Sequence, residues 1–391
     1  MEVYTLDPLL RRQKVIDRFV SLIWTERYKV FGDFELVIYS TLESRNLLKA
    51  GTLLAMNESF RVMKVEIIED GTDSEGKKML SVKGRSLETI LMDRTLSLTR
   101  WTTGTIPASF NWKHTSPPAD VARQMFHEMC VSLPMDDSDT IPFIIEGTFS
   151  TESTIPEPVD PITVDLEPAP LYDGLANVCD VWGLGFRIQR LYDTSELYFD
   201  IYTGNNRTTA QTLLPSVVFA PELDNLQNTN ELVTTDQAKN AAYVYSPAGF
   251  KEVYPIGVDP DVEGFERRIL VVIASDITTD NPSIDAALTQ RGNEELANNR
   301  ATQAFDGEIS QNSQYKYGRD YNLGDIVEMR NDDGETNDMK VTEQIFVSDA
   351  EGDRSYPTLT LNVFINTGSW LSWLNNKVWE DLTDEEWADQ P

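Results

Sequence analysis

From residue 15 to about residue 96 apolar side chains recur at every second position, and that period commits the first part of the chain to half-buried β-strands rather than helices. Arg18, Val20, Leu22 and Trp24 fall on one face of the first predicted strand, and Phe34, Leu36 and Ile38 on one face of the second. Segments 52–56, 61–69 and 79–84 continue the series, separated by turn chemistry such as Glu69-Asp70-Gly71 and Ser74-Glu75-Gly76. At Ser86 the period changes. Residues 86–91 read as a short helix, with Ser86 as a candidate N-cap and Thr89 where a capping box would place Glu. The expectation is a small antiparallel barrel closed by a helix.

The composition shifts after Trp101. Residues 101–168 are rich in Pro, Thr and Ser around one helix, 117–131, in which Val121, Met125, Phe126 and Met129 share a face. Pro117-Pro118 stands at its start, where proline costs least. Residues 140–165 alternate, with prolines at 142, 156, 158 and 161, as edge strands and extended arms do. A second helix, 170–182, turns Leu171, Leu175, Val178 and Cys179 inward and runs into Gly183-Leu184-Gly185. Strands 186–191 and 196–202 follow, joined by Tyr192-Asp193-Thr194-Ser195. Further strands are expected at 216–220, 241–246, 268–274, 325–330, 339–348 and 358–365, with a long helix at 283–303 and a hairpin turn at Asn331-Asp332-Asp333-Gly334. The predicted class is mainly β (α+β). It comprises a barrel over 1–100, an inserted α+β domain with a Pro-rich arm over 101–215, a second barrel over 216–365 and a Trp-rich acidic tail over 366–391.

The chemistry that this sequence lacks is as informative as what it has. With a formal net charge of -31 there is no basic surface from which counterion release could drive sequence-specific nucleic-acid binding. Two cysteines, Cys130 and Cys179, make no disulfide framework and read as buried small hydrophobes. No stretch approaches a membrane span or a cleavable leader, so folding and assembly in a cytoplasm are expected. His114 and His127 are the only histidines. His127-Glu128-Met129-Cys130 imitates a zinc helix, but Val131 stands where the second histidine belongs. Asp259-Pro260-Asp261-Val262-Glu263-Gly264 begins like a calcium loop and fails at Leu270, where a bidentate Glu should close the shell. Gly183-Leu184-Gly185 follows a helix and lacks a third glycine, so it does not cradle a nucleotide. No catalytic residue, cofactor or metal site is assigned.

The C-terminal tail is the most informative exposed piece. Trp370, Leu371, Trp373, Leu374 and Val378 fit one helical face, and Thr383 and Glu386 have capping-box spacing before Trp387. Trp370, Trp373, Trp379 and Trp387 lie beside Glu380, Asp381, Asp384 and Glu385. Such a segment either docks on a neighbouring subunit or another protein, as tryptophan hot spots do, or folds back on its own domain.

In order, these elements resemble the Gp37-like minor tail proteins of actinobacteriophages, a family similar to phage tail hubs. The strand at 17–24 followed by Gly32-Asp33-Phe34-Glu35-Leu36 is similar to the family's first hairpin. Val82-Lys83-Gly84-Arg85-Ser86-Leu87, followed by Leu91-Met92-Asp93-Arg94, resembles the strand, glycine and short helix that end its first barrel. Residues 175–186 resemble its helix and G-x-G-F step, and Tyr317-Gly318-Arg319-Asp320-Tyr321-Asn322-Leu323-Gly324-Asp325 its most specific segment. In that segment Gly318 and Gly324 permit tight turns, Tyr321 and Leu323 point into a core, and Asp325 opens a strand carrying Ile326, Val327 and Met329. The resemblance spans roughly residues 1–365; the Trp-rich tail departs from the family pattern.

The resemblance implies two tail-tube-like barrels per chain and a homotrimeric hub at the distal end of a long non-contractile tail. Partners would be the distal tail protein, the tape measure protein and receptor-binding or fibre proteins. An acidic wall would suit a conduit through which DNA slides without sticking. Two other readings compete: a tail-associated cell-wall hydrolase, against which stands the missing Cys/His, Ser/His or metal pattern, and a glycan-binding tail-tip module, with Trp112 or Trp182 as stacking candidates.

Overall fold

The computed structural model describes residues 1–97, 109–132, 136–146, 161–191, 196–255, 260, 262–279, 281, 283–309, 314–330 and 336–363. In chain order the first strands are β1 (Val3–Leu6), β2 (Arg12–Ile16), β3 (Ser21–Arg27) and β4 (Asp33–Tyr39), then helix α1 (Leu42–Leu47), β5 (Leu53–Met56), β6 (Val62–Thr72) and β7 (Lys78–Ser86). A 3-10 turn, Leu87–Asp93, leads to β8 (Thr95–Leu96), β9 (Trp112–Ser116), helix α2 (Pro118–His127), β10 (Ile144–Glu146), β11 (Ile162–Leu166) and β12 (Ala169–Pro170). Helix α3 (Leu171–Val181), β13 (Gly185–Arg190), β14 (Leu197–Tyr202), β15 (Val218–Phe219), β16 (Leu226–Thr234), β17 (Ala241–Ser246), β18 (Gly249–Val253) and β19 (Ile269–Ile273) follow. The chain ends its described course with helix α4 (Ile284–Ala297), β20 (Ala301–Ile309), β21 (Ile326–Arg330), β22 (Thr336–Asp349) and β23 (Gly352–Val363).

Among the described residues two compact units result, Met1–Glu231 with Phe305–Thr360, and Leu232–Ala304 with residues 361–363. In the first, one sheet runs in the order β23-β22-β3-β4-β7-β6-β5-β1-β2, and β21 adds to β22. The predicted alternation is visible in it: Leu22 and Trp24 of β3 and Phe34 and Leu36 of β4 are buried and pack with Leu80 and Val82 of β7. A second core in the same unit gathers Val121, Met125, Phe126 and Met129 of the α2 segment against Leu171, Leu175, Val178 and Cys179 of α3 and against β13 and β14. Phe126 stacks on Phe199 at 3.6 Å between ring centroids.

The mainly β class holds, but among the described residues the strands form several sheets and no closed barrel. Antiparallel pairing of β22 with β3, from Glu343↔Arg27 to Ser348↔Leu22, joins early and late strands edge to edge, so the sheet extends where a barrel would close on itself. The helix expected over 283–303 stops at Ala297, and Gln303 lies in β20. Asn299 explains the stop: its backbone N–H donates to Leu296 O at 3.0 Å and its side-chain amide to Glu295 O at 2.7 Å, capturing the last carbonyls. Ser86 does precede the 3-10 turn, yet its hydroxyl accepts from Gly32 N instead of capping. Val20, placed by the alternation with Leu22 and Trp24, precedes β3 and is exposed.

In the second unit β18-β17-β19 form a three-stranded sheet, with β17 antiparallel to β18 and parallel to β19. Helix α4 covers one face through Ala287, Leu288 and Leu296, which meet Ala242, Val244, Val253 and Val272.

Candidate functional site: a buried polar junction

The first unit hides a cluster of charged and phenolic groups where four segments meet. Tyr28, just past β3, is its pin. The ring is 1% exposed. Its hydroxyl lies 2.9 Å from Gly183 O and 3.3 Å from Tyr202 O, so one proton serves two carbonyls. Burial pushes the phenol well above its ordinary range, which keeps it a donor.

Two glycines make room for that ring. A Cβ on Gly185 would stand 2.5 Å from Tyr28 Cε2, and one on Gly324 would stand 2.4 Å from the same atom. Gly324 also has φ +90°, a region that other residues rarely enter. Gly204 approaches Gly324 so closely that a Cβ would lie 1.9 Å from its carbonyl carbon. Thus Gly183-Leu184-Gly185 and the segment ending in Gly324-Asp325, far apart in sequence, close on one tyrosine.

Asp325 locks the next layer. Its Oδ1 accepts from Asn205 N at 2.7 Å, and its Oδ2 accepts from Arg207 Nε at 2.7 Å and Asn322 N at 2.9 Å. Burial pushes its carboxyl pKa up, with the backbone donors and Arg207 pulling the other way. Tyr321 and Leu323 are buried; Tyr321 donates to Gln344 Oε1 at 2.9 Å and meets Phe219 edge-on. Gly318, at φ +78°, donates its N–H to Tyr321 O and closes the turn.

Around this core sit two more buried ion pairs and a buried carboxyl. Arg61 pairs with Glu88, which also accepts from Ile188 N at 2.8 Å. Arg187 pairs with Asp200 at 2.9 Å and lies 3.9 Å from the centroid of the Tyr202 ring, whose edge meets Tyr28. Glu26, on the inward row of β3, is fully buried and accepts from Tyr317 Oη at 2.9 Å; burial raises its pKa against the opposing charge of Arg61.

These groups are sealed. Arg61, Glu88, Asp200, Asp325 and Glu26 are each 4% exposed or less, so no ligand reaches them. The arrangement can fix four chain segments in one geometry, because the buried charges take their partners from different segments and are paired only when those segments meet. The histidines lie elsewhere: His127 Nδ1 is 2.7 Å from Glu146 Oε2, and no group of His, Cys, Asp and Glu fit to hold a metal occurs among the described residues. Cys130 and Cys179 are buried free thiols, both pushed up to about 12 by burial, hence poor nucleophiles. Trp112 is 2% exposed and donates to Glu128 Oε2 at 2.7 Å, so it offers no stacking face of the kind a sugar needs, and Trp182 is half-buried against the second core. A cavity of about 320 Å³ near Arg94 and Asp139 brings together no catalytic set; Arg94 Nε donates to the Asp139 carbonyl. Asp259, Asp261, the 331–334 turn and Trp370, Trp373, Trp379 and Trp387 lie outside the described residues.

Sequence reasoning identified Gly318, Tyr321, Leu323, Gly324 and Asp325 but missed Tyr28, Glu26, Arg61, Glu88 and Arg207. A Glu at an inward position of an alternating strand was the available signal, since Glu26 continues the row of Leu22 and Trp24.

Comparison with known proteins agrees in one direction. No curated protein sequence matches the chain. A tail protein from Neisseria meningitidis MC58 is similar in fold, with TM-score 0.54 and 13% identity over 92% of this chain and 95% of that one. The prophage MuSo2 43 kDa tail protein from Shewanella oneidensis gives TM-score 0.56 and 13% identity over 92% and 98%. The sequence profile described as Siphovirus ReqiPepy6 Gp37-like protein matches residues 1–359, and the chain therefore belongs to that family.

Proposed function

We propose that the chain is a structural, non-enzymatic component of a phage tail: a homotrimeric hub at the distal end of a long non-contractile tail. On one side it would meet the distal tail protein and the tape measure protein, and on the other the receptor-binding or fibre proteins. The observation that carries this reading is the likeness in fold to two tail proteins along nearly their whole length as well as its own. Family membership over residues 1–359 supports it. The geometry fits as well. The long sheet ends on β2, where Arg12, Gln13, Lys14 and Val15 are all exposed, an edge that a neighbouring copy can extend so that a ring is completed between chains rather than within one. The buried junction gives each copy the rigidity that a ring under load requires.

Labelling intact virions with an antibody against this chain tests the placement, with density expected at the distal end of the tail, and light scattering of the purified chain tests the stoichiometry, with three copies expected. Label along the tail shaft or at the capsid would overturn the hub, and release of muropeptides from host peptidoglycan would overturn the non-enzymatic reading.

A further inference from the structure

In the second unit, the sheet's sequence and its surroundings disagree. β17 and β19 are parallel, in register from Ala241↔Ile269 to Tyr245↔Ile273. Parallel strands are apolar on both faces because both are ordinarily covered. Ile269-Leu270-Val271-Val272-Ile273 has that uninterrupted apolar run. Val272 packs toward α4, but Val271 is 62% exposed, Ile273 68%, Tyr245 43% and Phe250 53%. The rings of Tyr243 and Tyr245 lie 5.5 and 5.1 Å from Phe250, so the patch is continuous. Three strands of about five residues span about 10 by 17 Å, the footprint of one helix of about three turns.

We propose that this face is covered by the chain's own C-terminal segment, residues 369–387, with Trp370, Trp373 and Leu374 laid against Tyr245, Val271 and Ile273. β23 ends at Val363, and residues 364–391 follow it. Their stripe of Trp370, Leu371, Trp373, Leu374 and Val378 cannot stay solvated as a helix, and it supplies the apolar width that the sheet lacks. At the rim of the face Arg267 already pairs with Glu252 and lies 3.5 Å from Tyr243 Oη and 3.1 Å from Tyr254 Oη, so Glu380 and Asp381, just past the stripe, would share a cation rather than claim a free one. The pairing holds whether or not the chain is a hub.

Limited proteolysis of the full chain, followed by mass spectrometry at dilutions where light scattering gives one mass, tests the proposal. In the parent chain the segment is expected to resist cleavage. Val271→Asp, at an exposed position, and separately Trp370→Ala with Trp373→Ala, which leaves the sheet untouched, are each expected to speed cleavage within 364–391 about tenfold and to red-shift tryptophan emission. Equal cleavage in all three chains would overturn the proposal. So would protection that grows with protein concentration and disappears in Val271→Asp, since the face would then be held by a second copy.

Discussion

Gly324 carries two constraints at once, a left-handed backbone and contact with the Tyr28 ring, so Gly324→Ala should cost about 3 kcal/mol or more through strain and displacement together. Urea denaturation of the two chains measures it; a midpoint within error of the parent would mean that the junction is looser than its distances imply. Glu26 offers a test with a sign. Burial raises its folded pKa above the unfolded value near 4.5, so the folded state holds the proton more tightly. Its contribution to stability is then greatest below pH 4.5 and declines as pH rises through the folded pKa. Glu26→Gln keeps an acceptor for Tyr317 but cannot ionise, so the variant should gain on the parent as pH rises from 4.5 until the folded pKa is passed and hold that gain above it, read as the difference in urea midpoints. Asp325, raised in the same direction, leaves a residual decline in both chains. A constant difference across that range would refute the assignment. Neither residue could be valued from sequence. Asp325 sits in a recognisable motif, but its partners Asn205 and Arg207 lie more than a hundred positions away, and no local pattern couples them.

Elements were legible where their own period decided their fate. Leu22 and Trp24 of β3, the inward row of β4 and the apolar faces of α2 and α3 emerge as expected, because a face that must be buried leaves a regular trace. β1 and β2 were missed: all but one residue of β2 is exposed, so no alternation betrays it, and its hairpin is set instead by Asp7, whose Oδ1 accepts from Leu9 N and Arg11 N. Helix α1 was missed because its capping box uses Ser44 where Glu or Gln is usual, with the Thr41 and Ser44 side chains capping each other's backbone. In α4 the informative position is Gly292, where a Cβ would lie 2.7 Å from Val253 Cβ. Gly292→Ala should gain about 1 kcal/mol in helix propensity yet lose about 1–3 kcal/mol to overpacking, a net loss confined to the second unit. Adding Val253→Ala should restore part of that loss if the two side chains collide. Hydrogen exchange of β17 and β18 amides reads both steps; faster exchange in the double variant than in Gly292→Ala alone would show that the helix does not approach the sheet there.

At the scale of the whole molecule, charge sets the conditions under which copies can meet. A chain of net charge -31 repels its own copies, and a trimeric ring would bring three such charges within one particle. The Debye length shortens from about 30 Å at 0.01 M salt to about 3 Å at 1 M. Self-repulsion should therefore dominate at low ionic strength and fade as salt is added, while edge pairing and apolar contacts between copies survive. The proposed trimer is expected to dissociate in dilute buffer and to reassemble as salt rises, with the mass from light scattering climbing toward three copies at fixed protein concentration. Neutralising surface carboxylates, for instance Glu75→Gln with Glu351→Gln, should move that transition to lower salt, since both side chains are exposed and their paired lysine and arginine contribute little at the surface. A mass that falls with salt would mean that copies are held by ion pairs across their interface, and the basic residues Arg12 and Lys14 on the β2 edge would then be the first contacts to examine.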